Sequence, residues 1–267
     1  MGLPILQTAP HKTPVVTYLL ILVNFIVFVV IVLAPDMIVP GAISTEDAQR
    51  ELAMIPIEVV RGERLWTVFT AMFVHADLGH ILGNMLFLFL FGRSVESAMG
   101  RIRFLAFYFL SGVFAAVFHI ISISYIPPEY LVSTSQFILN PWVTPTLGAS
   151  GAISGVLAAY LIFYPQSKIT SIIPIGFIPL ILILPAWAFI FIWFIYQLIM
   201  GILSLLGTFS SVAFWAHIGG FVAGMATAPL FMDPKLKKLI AEFKEVFSRP
   251  TEYYSELYRG EELDEYY

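Results

Sequence analysis

The feature that most restricts this chain is a run of 19 residues, Val15 to Leu33, without a charged side chain. A bilayer core of about 30 Å requires about 20 apolar residues in a helix, so the run is predicted to cross a membrane. It is too long for the apolar part of a signal peptide, and it has no convincing small-residue cleavage site. We therefore expect it to form a permanent spanning helix.

Composition places the rest of the chain in the same class. Of the 267 residues, 59% are hydrophobic and 12% are charged, whereas a soluble domain has roughly half apolar and a quarter charged residues. Lys and Arg number 14 against 18 Asp and Glu, and this net charge of −4 leaves no basic field for nucleic acid. The chain has no cysteine, which excludes disulfides and thiolate-bound zinc. The composition predicts an integral membrane protein surrounded by membrane lipid.

Five further apolar segments complete the predicted fold, an all-α, polytopic bundle of six transmembrane helices. The six predicted spans are residues 15–33, 78–91, 104–121, 148–164, 184–205 and 212–232. The second is expected to end before Arg93 and Glu96, because charged side chains are costly in lipid. The chain is thus predicted to contain an N-terminal segment (1–14), a six-helix domain (15–232) and a C-terminal region (233–267).

Basic residues in the short connections predict the orientation, because such loops favour the cytoplasm. Three arginines lie between residues 93 and 103, whereas the third-to-fourth and fifth-to-sixth connections carry no basic residue. Both termini are therefore expected in the cytoplasm. Apolar residues recur at helical spacing between Leu236 and Phe247, which is typical of an amphipathic helix on the inner membrane surface or of a packed cytoplasmic cap helix. The final stretch, 251–267, is acidic and rich in tyrosine.

Four polar side chains within the spans are candidates for function: His80, Asn84, Ser150 and His217. In the predicted topology, spans two, four and six all begin outside, and each candidate lies near the outer end of its helix. His80 and Asn84 are four residues apart and therefore project from one face. Each residue taken alone also has a structural interpretation. Ser150 is then a small residue at a helix contact, His217 makes a structural hydrogen bond, and Asn84 braces two helices. Their shared depth favours a common site.

Glycine spacing predicts which helices meet. Two glycines four residues apart lie on the fourth span and two on the sixth: Gly151, Gly155, Gly220 and Gly224. Small residues at this spacing let helix backbones approach closely in lipid. Such an approach is what Ser150 and His217 need to reach the hydrogen-bonding distance of about 2.6–3.2 Å.

The distribution of carboxylates favours a pair rather than a triad. No Asp or Glu lies between Glu129 and Asp233. Asp77 remains a possible third member, but the simpler prediction is a Ser–His dyad whose imidazole is oriented by another hydrogen bond. Ser154, one turn after Ser150, is the candidate for that bond.

Hydrolysis by such a dyad also needs oxyanion donors and water. His80, Asn84 and the backbone N–H of Ser150 are the candidate donors. The fourth span has 17 residues, about 25 Å of helix, which is shorter than the bilayer core. We expect it to begin below the membrane surface, with the non-helical approach 141–147 lining a water-filled cavity.

At this point the residues resemble a known family. Three ordered motifs, Gly148-Ala149-Ser150-Gly151, Ala216-His217-Ile218-Gly219-Gly220 and His80-x-x-x-Asn84, are similar to the signatures of rhomboid intramembrane serine proteases. The similarity covers about residues 15–232. It implies Ser150 as nucleophile, His217 as general base, and an oxyanion hole from His80, Asn84 and the Ser150 N–H. It also implies transmembrane protein substrates, no cofactor, no metal and a side gate at the fifth helix, which is rich in aromatic residues. No oligomeric state is predicted.

Two departures accompany the resemblance. Trp66 is followed by Thr67 instead of the arginine usual in the first loop, although Arg64 lies nearby. This puts the family's anchoring contact in that loop in doubt. Ser154 replaces an aromatic residue that packs on the histidine in several members, so a hydroxyl is expected to hold the ring.

Other functional classes fit less well. His75 and His80 at a spacing of five are splayed and lack a third metal ligand, His119 reads as structural, and the His-Glu-x-x-His motif of metalloproteases is absent. Paired aspartates and the matching broken helices of transporters are absent too. The serious rival is a catalytically inactive rhomboid-like protein that binds membrane segments. The expected location is a cell membrane, with the site opening to the extracytoplasmic side.

Overall fold

A computed structural model describes residues 3–124, 140–175, 178–205 and 212–238. Most of these residues are helical, as the hydropathy predicts. The helices are α1 (Val15–Leu33), α2 (Thr45–Leu52), α3 (Pro56–Val60), α4 (Thr67–Thr70), α5 (Leu78–Phe87), α6 (Arg93–Met99), α7 (Arg101–Ile123), α8 (Ser150–Phe163), α9 (Ala186–Leu205) and α10 (Phe214–Phe231).

Helices occupy all six predicted spans, which confirms the polytopic helical fold. Within the described part of the chain, five helices are long and apolar enough to cross a membrane: Val15–Leu33, Leu78–Met99, Arg101–Ile123, Ala186–Leu205 and Phe214–Phe231. The sixth, α8, has only 14 residues. Its residues Gly151 to Tyr160 are all buried, so α8 packs against protein rather than lipid and does not need the length of a lipid-facing helix.

The second span differs from its predicted end before Arg93. A π-helical turn, Leu88–Gly92, joins α5 to α6, so the helix continues to Met99. Glu96, on this extension, is 3% exposed. Its carboxylate accepts hydrogen bonds from the backbone N–H groups of Val16 and Thr17 and from the Thr17 hydroxyl, at 2.7–2.9 Å. These donors at the start of α1 compensate for burial of the charge.

A three-stranded antiparallel sheet lies outside the all-α prediction. Its strands are β1 (Leu3–Gln7), β2 (Lys168–Ile175) and β3 (Ile178–Pro185), in that spatial order. The N-terminal segment is therefore ordered by pairing with the connection between α8 and α9. A side-chain hydrogen bond also joins it to α8, since the Tyr160 hydroxyl donates to Gln7 Oε1 at 2.8 Å. Because residues 168–185 are almost uniformly apolar, they lack the alternation that marks a half-buried strand.

The loop between α1 and α5 is anchored by Arg64, despite the departure at Thr67. The Arg64 guanidinium donates to Glu58 Oε2 at 2.7 Å and also contacts the backbone carbonyls of Arg50 and Glu51. Arg64 thus binds three points of the loop, and it does so from a left-handed backbone conformation with φ +46°.

The chain forms two units, residues 1–231 and 232–267. In the second unit, Asp233 caps a helical turn by accepting from the Lys235 N–H at 2.8 Å. This turn coincides with the start of the predicted amphipathic segment. The remainder of that segment, and the acidic tyrosine-rich tail, lie outside the described residues.

Candidate active site

The predicted glycine faces bring α8 and α10 into backbone contact. A Cβ atom built on Gly224 would lie 2.6 Å from the carbonyl oxygen of Gly155, and one built on Gly220 would collide with the carbonyl of Gly151. Both distances are shorter than ordinary van der Waals contact. Only glycine at these positions permits the observed approach of the two helices.

This approach brings Ser150 and His217 together. Ser150 is the first residue of α8 and His217 lies in the first turn of α10. Ser150 Oγ lies 2.8 Å from His217 Nε2, within the distance required for a hydroxyl and a proton-accepting imidazole. The side chains are partly buried.

The second nitrogen of the histidine has a partner that the sequence analysis did not identify. Gln197 Oε1, from α9, lies 2.8 Å from His217 Nδ1. Ser154, expected to hold the ring, instead donates its hydroxyl to the Ser150 carbonyl at 2.7 Å. That bond is the i to i−4 bond common for serine in helices. The aromatic rings of Trp193 and Phe214 flank the imidazole at centroid distances of 6.4 Å.

Gly148 brings the oxyanion candidates to the start of α8. Its φ of +118° suits glycine, and its N–H donates to the Ala71 carbonyl at 2.8 Å. A Cβ atom on Gly148 would lie 2.8 Å from His80 Nε2 and 3.7 Å from Asn84 Nδ2. The imidazole and the amide therefore border the turn that leads into Ser150.

Hydrogen bonds define how His80 presents its ring. The Ala76 N–H donates to His80 Nδ1 at 3.3 Å, so a neutral ring carries its proton on Nε2, the nitrogen that faces Gly148. Asp77 caps α5 by accepting from the His80 backbone N–H, and this role keeps its carboxylate at the helix start. Asn84 Nδ2 is buried and has no hydrogen-bond partner among the described residues. Two side-chain N–H groups are thus available beside Gly148.

A cavity of about 1170 Å³ opens onto these side chains. Its lining includes His80, Asn84, Ser150 and His217, together with Pro141 and residues 144–148 of the non-helical approach. This arrangement agrees with the expectation that the segment before α8 borders a cavity. The volume is sufficient for water and for an extended peptide segment.

Two other histidines lie close to the site without joining the Ser–His contact. His119 Nε2 lies 3.3 Å from the hydroxyl of Thr146, a structural contact as expected. The His75 ring packs edge-on against His80 at 5.0 Å, and the residue is 1% exposed. Burial, with a smaller effect of the adjacent His80, lowers the pKa of His75 to about 4. It is therefore a neutral, buried ring.

These features define a class: a polytopic helical membrane protein with a serine–histidine pair at the start of a buried helix. The family model for the rhomboid domain matches residues 62–234, a range that contains all four candidate residues. The chain belongs to the rhomboid family.

Named relatives agree with this assignment. Rhomboid protease AarA of Providencia stuartii is 35% identical over 37% of this chain and 34% of its own length. Rhomboid protease GluP of Bacillus subtilis is 25% identical over 83% of this chain and 36% of its own length. Inactive RHOMBOID-like protein 8 of Arabidopsis thaliana is 25% identical over 68% of this chain and 42% of its own length. The matched part thus spans less than half the length of each relative.

Proposed function

We propose that this protein is an intramembrane serine endopeptidase that cleaves peptide bonds in or near transmembrane segments of membrane proteins. The observation that carries the proposal is the 2.8 Å contact between Ser150 Oγ and His217 Nε2 at the edge of a cavity. The buried amide nitrogen of Asn84 lies beside Gly148 and has no hydrogen-bond partner in the part of the chain that the structure describes. It supports the same chemistry, because an oxyanion needs such donors.

The proposed reaction is acyl transfer through Ser150. His217 Nε2 takes the hydroxyl proton as Oγ attacks the scissile carbonyl carbon, and the carbonyl π electrons move to oxygen. His80 Nε2–H, an Asn84 amide N–H and the backbone N–H of Ser150 donate to this oxyanion. The last is free to do so because the first N–H groups of a helix have no intrahelical acceptor. Collapse breaks the C–N bond as His217 protonates the leaving amine. Water from the cavity then hydrolyses the acyl-enzyme by the same steps.

The helices suggest how a substrate enters. Trp187, Phe191 and Tyr196 on α9 are exposed, whereas Phe189 and Trp193 on the same helix are buried. A helix whose outer face is covered with aromatic residues suits contact with lipid and with an arriving transmembrane segment. We propose that α9 is the side gate, that the protein lies in a cell membrane, and that the site opens to the extracytoplasmic side with both termini in the cytoplasm.

The alternative is a catalytically inactive member that binds transmembrane segments. One matched relative is named as inactive. The presence of both Ser150 and His217, in contact, favours the enzyme.

Purified protein in liposomes should cleave a tagged single-span substrate, and the Ser150→Ala and His217→Ala variants should not. Folding of each variant is checked by its thermal unfolding midpoint. Appreciable turnover by either folded variant would remove the dyad. Failure of the wild-type protein on several substrates, with Ser150 also unreactive to a fluorophosphonate, would favour the inactive binder.

A further inference from the structure

The contact between Gln197 and His217 is not explained by a two-residue dyad. Gln197 lies within α9, a helix otherwise composed mainly of apolar residues, and it is 5% exposed. Burying an amide is unfavourable unless it is hydrogen-bonded. Here the amide oxygen lies 2.8 Å from His217 Nδ1, the ring nitrogen that does not contact Ser150.

This geometry selects one form of the imidazole. A carbonyl oxygen only accepts hydrogen bonds, so Nδ1 must carry a proton to bond to Gln197 Oε1. A neutral imidazole has one N–H, so Nε2 then presents its lone pair to the Ser150 hydroxyl. This is the tautomer that can accept the serine proton. In the opposite tautomer, Nε2 carries the proton, and Nδ1 has no hydrogen to donate to Gln197 Oε1.

The surrounding helix contacts hold Gln197 at this distance. Gly201 lies one turn after Gln197, and its carbonyl accepts from Trp215 Nε1 at 3.1 Å. A Cβ atom on Gly201 would lie 3.1 Å from Ile218 Cδ1, so α9 and α10 are in close contact there. Trp215 and Ile218 flank His217 in sequence. The helix that carries the amide is thus docked directly on the turn that carries the imidazole.

We propose that Gln197 is a positioning residue that acts through His217. It holds Nδ1–H, fixes the productive tautomer and supports the imidazolium formed when Ser150 is deprotonated. Its neutral amide takes the place that a carboxylate has in a Ser-His-Asp triad. This role rests on the proposed function, because it requires His217 to be the base. Since α9 supplies the amide, docking of α9 on α10 is part of assembling the reactive pair.

Three variants separate this role from a packing role. Gln197→Met keeps the length and approximate volume of the side chain but removes the acceptor oxygen, and Gln197→Glu keeps an acceptor at the same place. Ile26→Met is the matched control, because Ile26 lies on α1, outside the proposed gate helix, and is 52% exposed. Each protein is assayed as the full chain in liposomes, for its rate of Ser150 modification by a fluorophosphonate and for kcat and KM with a single-span substrate.

Loss of one hydrogen bond that strengthens in the transition state predicts about a tenfold decrease in kcat and in modification rate for Gln197→Met, with KM unchanged. Gln197→Glu is expected within about threefold of wild type by the same reasoning, and Ile26→Met should match wild type. Wild-type rates in Gln197→Met would overturn the proposal. An equal loss in Gln197→Met and Gln197→Glu would show that an acceptor oxygen at this position does not maintain the rate, and would also overturn it.

A second readout does not depend on proteolysis. In protein with ¹⁵N-labelled histidine rings, the signals of His217 should show a protonated Nδ1 and an unprotonated Nε2 in the wild type. Gln197→Met should mix the two tautomers. If the wild-type protein cleaves no substrate but this tautomer pattern holds and changes in Gln197→Met, the proposed function fails, whereas the inference that Gln197 fixes the His217 tautomer stands. A wild-type ring protonated on Nε2, with Gln197 donating its amide N–H to Nδ1, would overturn the positioning role.

Discussion

The contact between α8 and α10 predicts that a single methyl group can separate nucleophile and base. In Gly224→Ala, the new Cβ would lie 2.6 Å from the carbonyl oxygen of Gly155, 2.7 Å from its Cα and 2.9 Å from the Cβ of Ala158. Two of these atoms are backbone and cannot rotate away. Since ordinary contacts between carbon atoms are about 3.5–4.0 Å, the helices must separate by about 1 Å.

A separation of this size matters because the Ser150–His217 contact spans the same two helices. Transmitted to the pair, it would lengthen the 2.8 Å distance beyond the limit of about 3.2 Å for proton transfer. Misplacement by about 1 Å can cost about 10²-fold in rate, or about 2.7 kcal/mol of transition-state stabilisation. Gly220→Ala should be more severe, because its Cβ would collide with the Gly151 carbonyl.

The assay is the rate of Ser150 modification by a fluorophosphonate, which requires no substrate docking, measured beside kcat for a single-span substrate. Val222→Ala is the control, because Val222 lies on α10 between the two glycines and is 45% exposed. We expect the rates to decrease in the order wild type, equal to Val222→Ala, then Gly224→Ala, then Gly220→Ala. A folded Gly224→Ala protein with wild-type rates would refute the link between helix contact and reactivity.

Three further predictions concern single side chains. Asn84→Ala should lower kcat by about 10²–10³-fold with a smaller change in KM, as expected for an oxyanion donor; a wild-type kcat would remove that role. Glu96→Ala should lower the free energy of unfolding by at least about 3 kcal/mol in detergent, because it leaves the donors of Val16 and Thr17 at the start of α1 unpaired. Burial lowers the pKa of His75 to about 4. The unfolded chain therefore binds a proton at this residue near pH 6.5, whereas the folded chain does not. The free energy of unfolding should decrease by up to about 3 kcal/mol as the pH falls from 6.5 to 4. The pH slope should be shallower in His75→Phe, and an unchanged slope would contradict this assignment.

Hydropathy and glycine spacing were sufficient to predict the helices and the pair they bring together. Val15–Leu33 was predicted with the bounds that the structure has, because no charged residue interrupts this apolar run. The contact of Ser150 with His217 was predicted because glycine pairs on their two helices permit a close approach and both residues were expected at a similar depth. Both predictions rest on patterns that the sequence displays directly: an apolar run of spanning length and the spacing of small residues.

The differences arise where a tertiary partner changes the meaning of a residue. Glu96 was expected beyond the end of the second span because it is charged. In the structure, backbone N–H groups at the start of α1 donate to its carboxylate inside the fold. Residues 168–185 were not predicted as strands, because their nearly uniform apolar sequence lacks the alternation of a half-buried strand. Their pairing with each other and with the N-terminal strand appears only in the folded protein. Gln197 was missed because a single amide in an apolar helix has no motif. A polar residue within an apolar span is itself a signal, because its burial requires a hydrogen-bond partner. On that ground Gln197 could have been matched with His217.

The most direct test of the central claim is to map the site of covalent modification. Wild-type protein in lipid bilayers is treated with a soluble fluorophosphonate and analysed by mass spectrometry of its peptides. The proposed dyad and cavity predict modification at Ser150, and none at that residue in folded His217→Ala. Modification of Ser150 at an equal rate in His217→Ala, or labelling of other residues while Ser150 stays unmodified, would contradict the assignment of Ser150 as a nucleophile activated by His217.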